Sequence, residues 1–215
     1  MTLPADPSVA LQAGFLMLSI AMAGFFAWWT KHRALPAIWL IGTGVLALLG
    51  VFQHFGPPPR LLLLFMPGMV ATTWLAWRSD WHRSPLKLLV GFQAFRILVE
   101  ILIHQAASEG VAPPQLSWEG RNFDIVTGVT AAVLIPFVDR MPRWSLHGWN
   151  LMGVALLFNV VGVALLSMPT PFQVFTPDNI WVGFFPFSWL PLILVMLAWI
   201  GHVVLFKRLL EDAGK

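Results

Sequence analysis

The chain has 215 residues, of which 58% are hydrophobic and 11% charged, with a mean hydropathy of +0.75. That is too little polar surface to coat a soluble globule of this size, so the chain calls for lipid as solvent. The formal net charge of +3 does not indicate a nucleic-acid partner, because the 13 Lys and Arg are spread among short connections, and the absence of Cys excludes disulfides, thiolate metal sites and cysteine nucleophiles.

A helix that crosses about 30 Å of hydrocarbon needs roughly 20 largely apolar residues. In chain order seven stretches qualify: Val9–Trp29, Ala37–Phe55, Leu61–Trp77, Leu86–Ala107, Phe123–Val138, Leu146–Met168 and Val182–Leu205. The expected fold is all-α, one transmembrane bundle of seven helices over residues 1–215. Within the first stretch Ala21-Met22-Ala23 follows an apolar run and resembles a signal-peptidase site, but Asp6 and the lack of Lys or Arg before the run are wrong for a signal sequence, so the stretch is read as a retained span. Prolines mark the boundaries at Pro57-Pro58-Pro59, Pro113-Pro114, and Pro169, Pro171 and Pro177. Pro67, Pro136 and Pro191 fall inside spans and predict kinks.

Charge sets the expected orientation. With the N-terminus outside and the C-terminus cytoplasmic, the inner segments hold Lys31, Arg33, Arg78, Arg83, Lys87, Arg140, Arg143, Lys207, Arg208 and Lys215, against Arg60 and Arg121 outside. Asp6, Glu109, Glu119, Asp124 and Asp178 lean to the outer side. Most Trp residues, among them Trp28, Trp29, Trp74, Trp77 and Trp144, fall near the inner boundary and read as interfacial anchors.

The fourth span carries the most informative pattern. Gln93, Arg96, Glu100 and His104 recur at spacings of three, four and four, and at 100° per residue they share an arc of about 80°. Charge in the bilayer centre costs roughly 2.5 kcal/mol or more, so this stripe should face the bundle. Arg96 and Glu100 are placed to pair at i, i+4. Such a pair can simply neutralise itself and fix helix packing, or it can belong to a site. By depth, Glu100 and His104 lie near Gln53 and His54 at the outer end of the second span and near Asn122 and Asp124 at the start of the fifth. Asn159 adds an amide in the sixth. Together these are expected to line an outward-open pocket.

The segment Trp118-Glu119-Gly120-Arg121-Asn122-Phe123-Asp124 is unusually polar for a connection entering a membrane helix. Its plain reading makes Asn122 an N-cap and Asp124 a complement to the helix dipole. In the sharper reading Arg121 holds an anionic group that Glu119 and Asp124 orient.

The runs Glu119-Gly120-Arg121-Asn122-Phe123-Asp124-Ile125, Pro169-Thr170-Pro171-Phe172 and Phe185-Pro186-Phe187-Ser188-Trp189-Leu190-Pro191, with Phe95-Arg96-Ile97-Leu98-Val99-Glu100, resemble an uncharacterised group of bacterial membrane proteins of similar length. The resemblance covers about the C-terminal half. It implies a multi-pass location in the bacterial inner membrane and carries over no catalytic residue or cofactor.

Specific chemistries find little support. A retinal protein needs a lysine within its last span, and the first Lys there is Lys207 at the inner end. Haem would require histidines at matched depth, for which His54 with His104, or His147 with His202, are the candidates. No His-Glu-x-x-His, Gly-x-Ser-x-Gly or phosphate-loop motif occurs. The leading expectation is a pocket that binds or transports a small anionic or zwitterionic molecule, using Arg96, Glu100, His104, Glu119, Arg121, Asn122, Asp124, Asn159 and His54. An accessory subunit of a larger membrane complex and a membrane-embedded His/carboxylate hydrolase are the alternatives. The expected partners are the lipid bilayer, a small-molecule ligand and a membrane protein. No metal site is assigned, and the cofactor is left open.

Overall fold

The computed structural model describes residues 2–213, so Lys215, one of the basic residues counted toward the inner face, lies outside the described residues. Among them there is no strand, and every regular element is helical. The helices are α1 (Val9–Thr30), α2 (Ala34–Leu48), α3 (Arg60–Arg78), α4 (Leu86–Gly91), α5 (Arg96–Ser108), α6 (Ile125–Leu134), α7 (Arg143–Leu166) and α8 (Met196–Ala213). A 3-10 turn, Phe92–Phe95, joins α4 to α5 in one rod, so the described residues form seven helical rods. Each overlaps one of the seven apolar stretches.

Four of them are long and apolar enough to cross a membrane: Val9–Thr30, Arg60–Arg78, Arg143–Leu166 and Leu190–Asp212. The others fall short as continuous helices. α2 has 15 residues and α6 has 10, which at 1.5 Å per residue is about 15 Å for α6. Pro136 follows the last turn of α6 and removes an amide that the helix would need to continue. Pro67, by contrast, sits within an uninterrupted α3.

The last rod differs from its expected extent in both directions. It begins at Leu190, eight residues later than the apolar run, with a π-helical segment Leu190–Val195 that contains Pro191. Pro186 and Pro191 discourage helix before this point. At the other end it runs on to Ala213, with Arg208 and Asp212 paired at i, i+4 on its polar face. Within this π segment the carbonyl of Leu192 accepts from Trp39 Nε1 at 2.7 Å.

Helix α8 is the core. Of the four long apolar segments it is 72% buried, whereas the other three are between 22% and 33% buried. α3, α4 and α7 pack around it, and α1 packs on its π segment. Meanwhile Ile38, Val70, Trp144 and Leu151 are left exposed. A soluble protein of this size does not carry so much apolar surface around its circumference.

One end of the bundle is tied by charge. Lys207 Nζ donates to the carbonyls of Trp77 and Ser79, both at 2.8 Å. His82 meets Glu211 at 2.8 Å, Arg143 meets Asp212 at 3.0 Å, and Lys87 meets Asp139 at 3.2 Å. The α3–α4 turn, the α6–α7 turn and the C-terminal turns of α8 therefore share the end that holds most basic residues. At the opposite end Ser8 caps α1 and is itself bound by Glu109, with its amide donating at 2.8 Å and its hydroxyl at 2.7 Å.

Candidate functional site

The polar stripe of the α4–α5 rod does face inward. Gln93, Arg96 and Glu100 are buried, and His104 is half-buried. Each finds a different partner, because the 3-10 turn interrupts the regular 100° step just before Arg96. Gln93 Nε2 donates to the carbonyl of Ala198 on α8 at 3.0 Å.

Arg96 does not pair with Glu100, contrary to the i, i+4 expectation. Its guanidinium clamps Asp124 with two bonds, Nε to Oδ2 at 2.7 Å and Nη2 to Oδ1. Asp124 comes within reach because α6 closes directly on the rod: a methyl at Gly128 would stand 2.8 Å from the amide of Ile97. The two parallel bonds to Asp124 match the fork of the guanidinium, while Glu100 is engaged by Asn122.

Arg96 Nη1 also donates to His202 Nε2 on α8 at 2.8 Å. Arginine has no acceptor, so Nε2 must be the lone-pair nitrogen and Nδ1 must carry the proton. Nδ1 accordingly donates to Asn150 Oδ1 on α7 at 2.8 Å, and Asn150 Nδ2 returns a bond to the carbonyl of His202 at 3.2 Å. The ring is edged by Gly153, where any side chain would collide with it.

Glu100 takes a separate partner. Asn122 Nδ2 donates to its Oε2 at 2.7 Å and to the carbonyl of Leu116 at 2.9 Å, while Asn122 Oδ1 accepts from the amide of Asp124 at 2.9 Å. Asn122 is thus not the N-cap of α6. Asp124 occupies that position, and its carboxylate is turned away to Arg96 instead of capping. The result is a buried chain, Glu100–Asn122–Asp124–Arg96–His202–Asn150, that links the rod, the entry to α6, α8 and α7.

Arg96, Glu100 and Asp124 form part of the wall of a cavity of about 80 Å³, room for several waters or a small polar group. The rest of the wall is almost wholly apolar, from Leu61, Leu62 and Phe65 on α3, Leu157 to Leu165 on α7, and Leu190 to Ala198. Two further residues matter. Asn179 and Trp181 line the same cavity, both fully buried, and Asn179 Oδ1 and Trp181 Nε1 have no hydrogen-bond partner. Buried polar atoms are rarely left so. The π segment forms another part of this wall, and such segments frequently occur where a site is built.

The remaining expected site residues do not converge here. Glu119, Arg121 and Asn159 lie in a wide, separate groove of about 950 Å³ between α7 and the loop before α6. There Asn159 Nδ2 donates to the carbonyl of Arg121 at 2.7 Å, and the Arg121 guanidinium lies over the ring of Phe175 at 4.7 Å. His104 stacks on Trp118, centroids 4.3 Å apart, away from the cavity wall. His54 is exposed, beside a turn in which its carbonyl accepts from the amide of Arg60. The single pocket expected from depth therefore divides, because the loop carrying Glu119 and Arg121 turns its neighbouring residues Asn122 and Asp124 inward.

His202, Asn150, Asn179 and Trp181 are the members that the sequence reading did not assign to the site. His202 and Asn150 are polar residues set within long apolar helices, and the cost of exposing them to lipid is the signal that was available. Among the described residues, no three His, Asp or Glu side chains are grouped so as to hold a metal ion. No protein-family model, no curated protein and no solved structure matches the chain.

Proposed function

We propose that this is a multi-pass protein of a bacterial cytoplasmic membrane that binds a small molecule with a polar head in the cavity beside Arg96, Glu100 and Asp124. In this reading all seven rods lie within the bilayer, the N-terminus is outside and the basic end of the bundle is cytoplasmic. The grouping of Lys31, Arg33, Arg78, Arg140, Arg143, Lys207 and Arg208 at the ends of the rods supports that orientation. The short α2 and α6 are completed by irregular backbone packed within protein.

One observation carries the functional part. A fully buried acceptor, Asn179 Oδ1, and a fully buried donor, Trp181 Nε1, lack partners among the described residues, and both belong to residues that line the same cavity as three ionisable side chains. A dry apolar slot would have no use for them, and a bound polar group would satisfy both. Arg96 is largely occupied by Asp124 and His202, so Glu100 is the ionisable group of the wall without an ion partner among the described residues. This favours a zwitterionic or donor-bearing ligand over a simple anion.

The test is native mass spectrometry of the protein purified in mild detergent, with Val161→Trp as comparison. Val161 is half-exposed at the rim of the cavity, so bulk there fills the space without cutting the polar chain. We expect a bound mass of near-stoichiometric occupancy on the wild type that is missing from folded Val161→Trp. Equal spectra from the two proteins would refute the reading.

A further inference from the structure

The cavity is not closed on all sides. α3 packs on α8 and on its π segment, α7 packs on α8, and α3 and α7 barely touch each other. Below the cavity the gap between them continues as a second apolar groove of about 560 Å³, which shares Phe65, Leu157, Val161 and Val195 with it and reaches Trp77 and Trp199. The two spaces adjoin across these four side chains and together trace a slot along most of the length of α3, whose 19 residues span about 28 Å at 1.5 Å per residue. Several rim residues, Leu62, Val161 and Val195 among them, are half-exposed on the flank that faces lipid in the proposed topology.

We propose that the occupant is a single-chain amphiphile that enters sideways from the bilayer, with its apolar chain in the α3–α7 slot and a hydrogen-bond-donating head, hydroxyl or ammonium, at Glu100. The proposal rests on the binding function above and names its ligand class. Three features converge on this chemistry. The slot is apolar from end to end except at the cavity, where the polar groups are concentrated. Two acceptors on residues of the cavity wall have hydrogen-bonding capacity unused by the described residues: Asn179 Oδ1, and Glu100, whose one protein hydrogen bond falls on Oε2. A carboxylate head would meet Glu100 as a like charge in a site of low dielectric, with Arg96 already committed to Asp124. The unpaired Trp181 Nε1 can donate to a head that also accepts, as a hydroxyl or glyceryl oxygen does.

The experiment places the protein in nanodiscs of dioleoylphosphatidylcholine, whose head has no donor, and doses them with diazirine-chain analogues of monoolein, oleylamine and oleate. Photocrosslinked residues are mapped by peptide mass spectrometry. We expect monoolein and oleylamine to label slot residues of α3 and α7 at least tenfold more than oleate does, and Val161→Phe to abolish that labelling while labelling of the outer faces persists. In Glu100→Gln the preference for oleylamine over oleate should fall about tenfold. Equal labelling by oleate and oleylamine in the wild type, or labelling spread evenly over all lipid-facing surfaces, would overturn the proposal. If glycerol or ethanolamine, added without a chain, instead removes the mass bound to the purified protein, the lateral amphiphile is wrong and the binding function stands. Absence of any bound mass in that earlier test would remove both.

Discussion

The guanidinium of Arg96 closes on the carboxylate of Asp124, 28 positions along the chain, and not on Glu100, one turn away on its own helix. Both members of the pair are almost completely buried. Removing one strands the other, which in buried pairs costs about 3–5 kcal/mol, whereas replacing both by apolar groups of similar volume is far better tolerated. Arg96→Met and Asp124→Leu should therefore each destabilise the protein strongly, and the double variant less than their sum. Unfolding in mixed micelles measures the cycle. Additive losses would show that the two side chains act independently.

His202 depends on the absence of a side chain at Gly153. Gly153→Val would drive the ring from its place between Arg96 and Asn150, and overpacking of a buried site of this kind costs about 1–3 kcal/mol. Gly148 lies on the same helix and has open space around the position of an added side chain. Gly148→Val is expected to leave the unfolding midpoint close to that of the wild type, and equal losses at the two positions would argue against the packing described for His202.

At the end of the bundle opposite the basic one, burial of the Glu109 carboxylate opposes its ionisation, but the hydrogen bonds from Ser8 and Gln105 outweigh it and hold the group below its ordinary value of 4.5. A carboxyl group depressed in the folded state contributes stability above its unfolded value and loses it as pH falls through the folded one. Hydrogen exchange in the first turn of α1 should therefore quicken, beyond the intrinsic rate, as pH drops from about 4.5. Glu109→Gln should lose that dependence. A wild-type profile that follows the intrinsic rate throughout would show that the clasp does not form.

The chain has no Cys, so single cysteines report topology without background. In intact cells Asp6→Cys and Asp178→Cys should react with a membrane-impermeant maleimide. Arg140→Cys and Arg33→Cys should react only after permeabilisation. All four positions are exposed. The reverse pattern would invert the proposed orientation.

Much of the architecture was legible in the sequence because lipid imposes a simple demand on it. Seven apolar stretches bounded by proline and charge became seven helical rods, and the stripe from Gln93 to Glu100 was placed inward by the cost of exposing it. What could not be read was pairing. Asp124 reaches Arg96 only because Gly128 lets α6 approach the rod closely, and nothing local to either residue encodes that distance. The expected N-cap at Asn122 failed because its side chain is engaged by Glu100, the carbonyl of Leu116 and the amide of Asp124, and Glu100 and Leu116 lie outside the helix that the cap assumes. His104 and His54 were grouped with the site by depth along the membrane normal. Depth says nothing of rotation about it, and the two lie elsewhere. The start of α8 was missed because hydropathy runs straight through Pro186 and Pro191, where the backbone does not.

The most direct measurement is an experimental density map of the protein in nanodiscs made from its native membrane. The account requires a bounded, non-protein feature in the cavity, within hydrogen-bonding distance of Asn179 Oδ1 or Trp181 Nε1 and beside Glu100, with an elongated tail between α3 and α7. A map in which α3 and α7 close against each other, with both orphan atoms bonded to protein and no space left at Glu100, would contradict it.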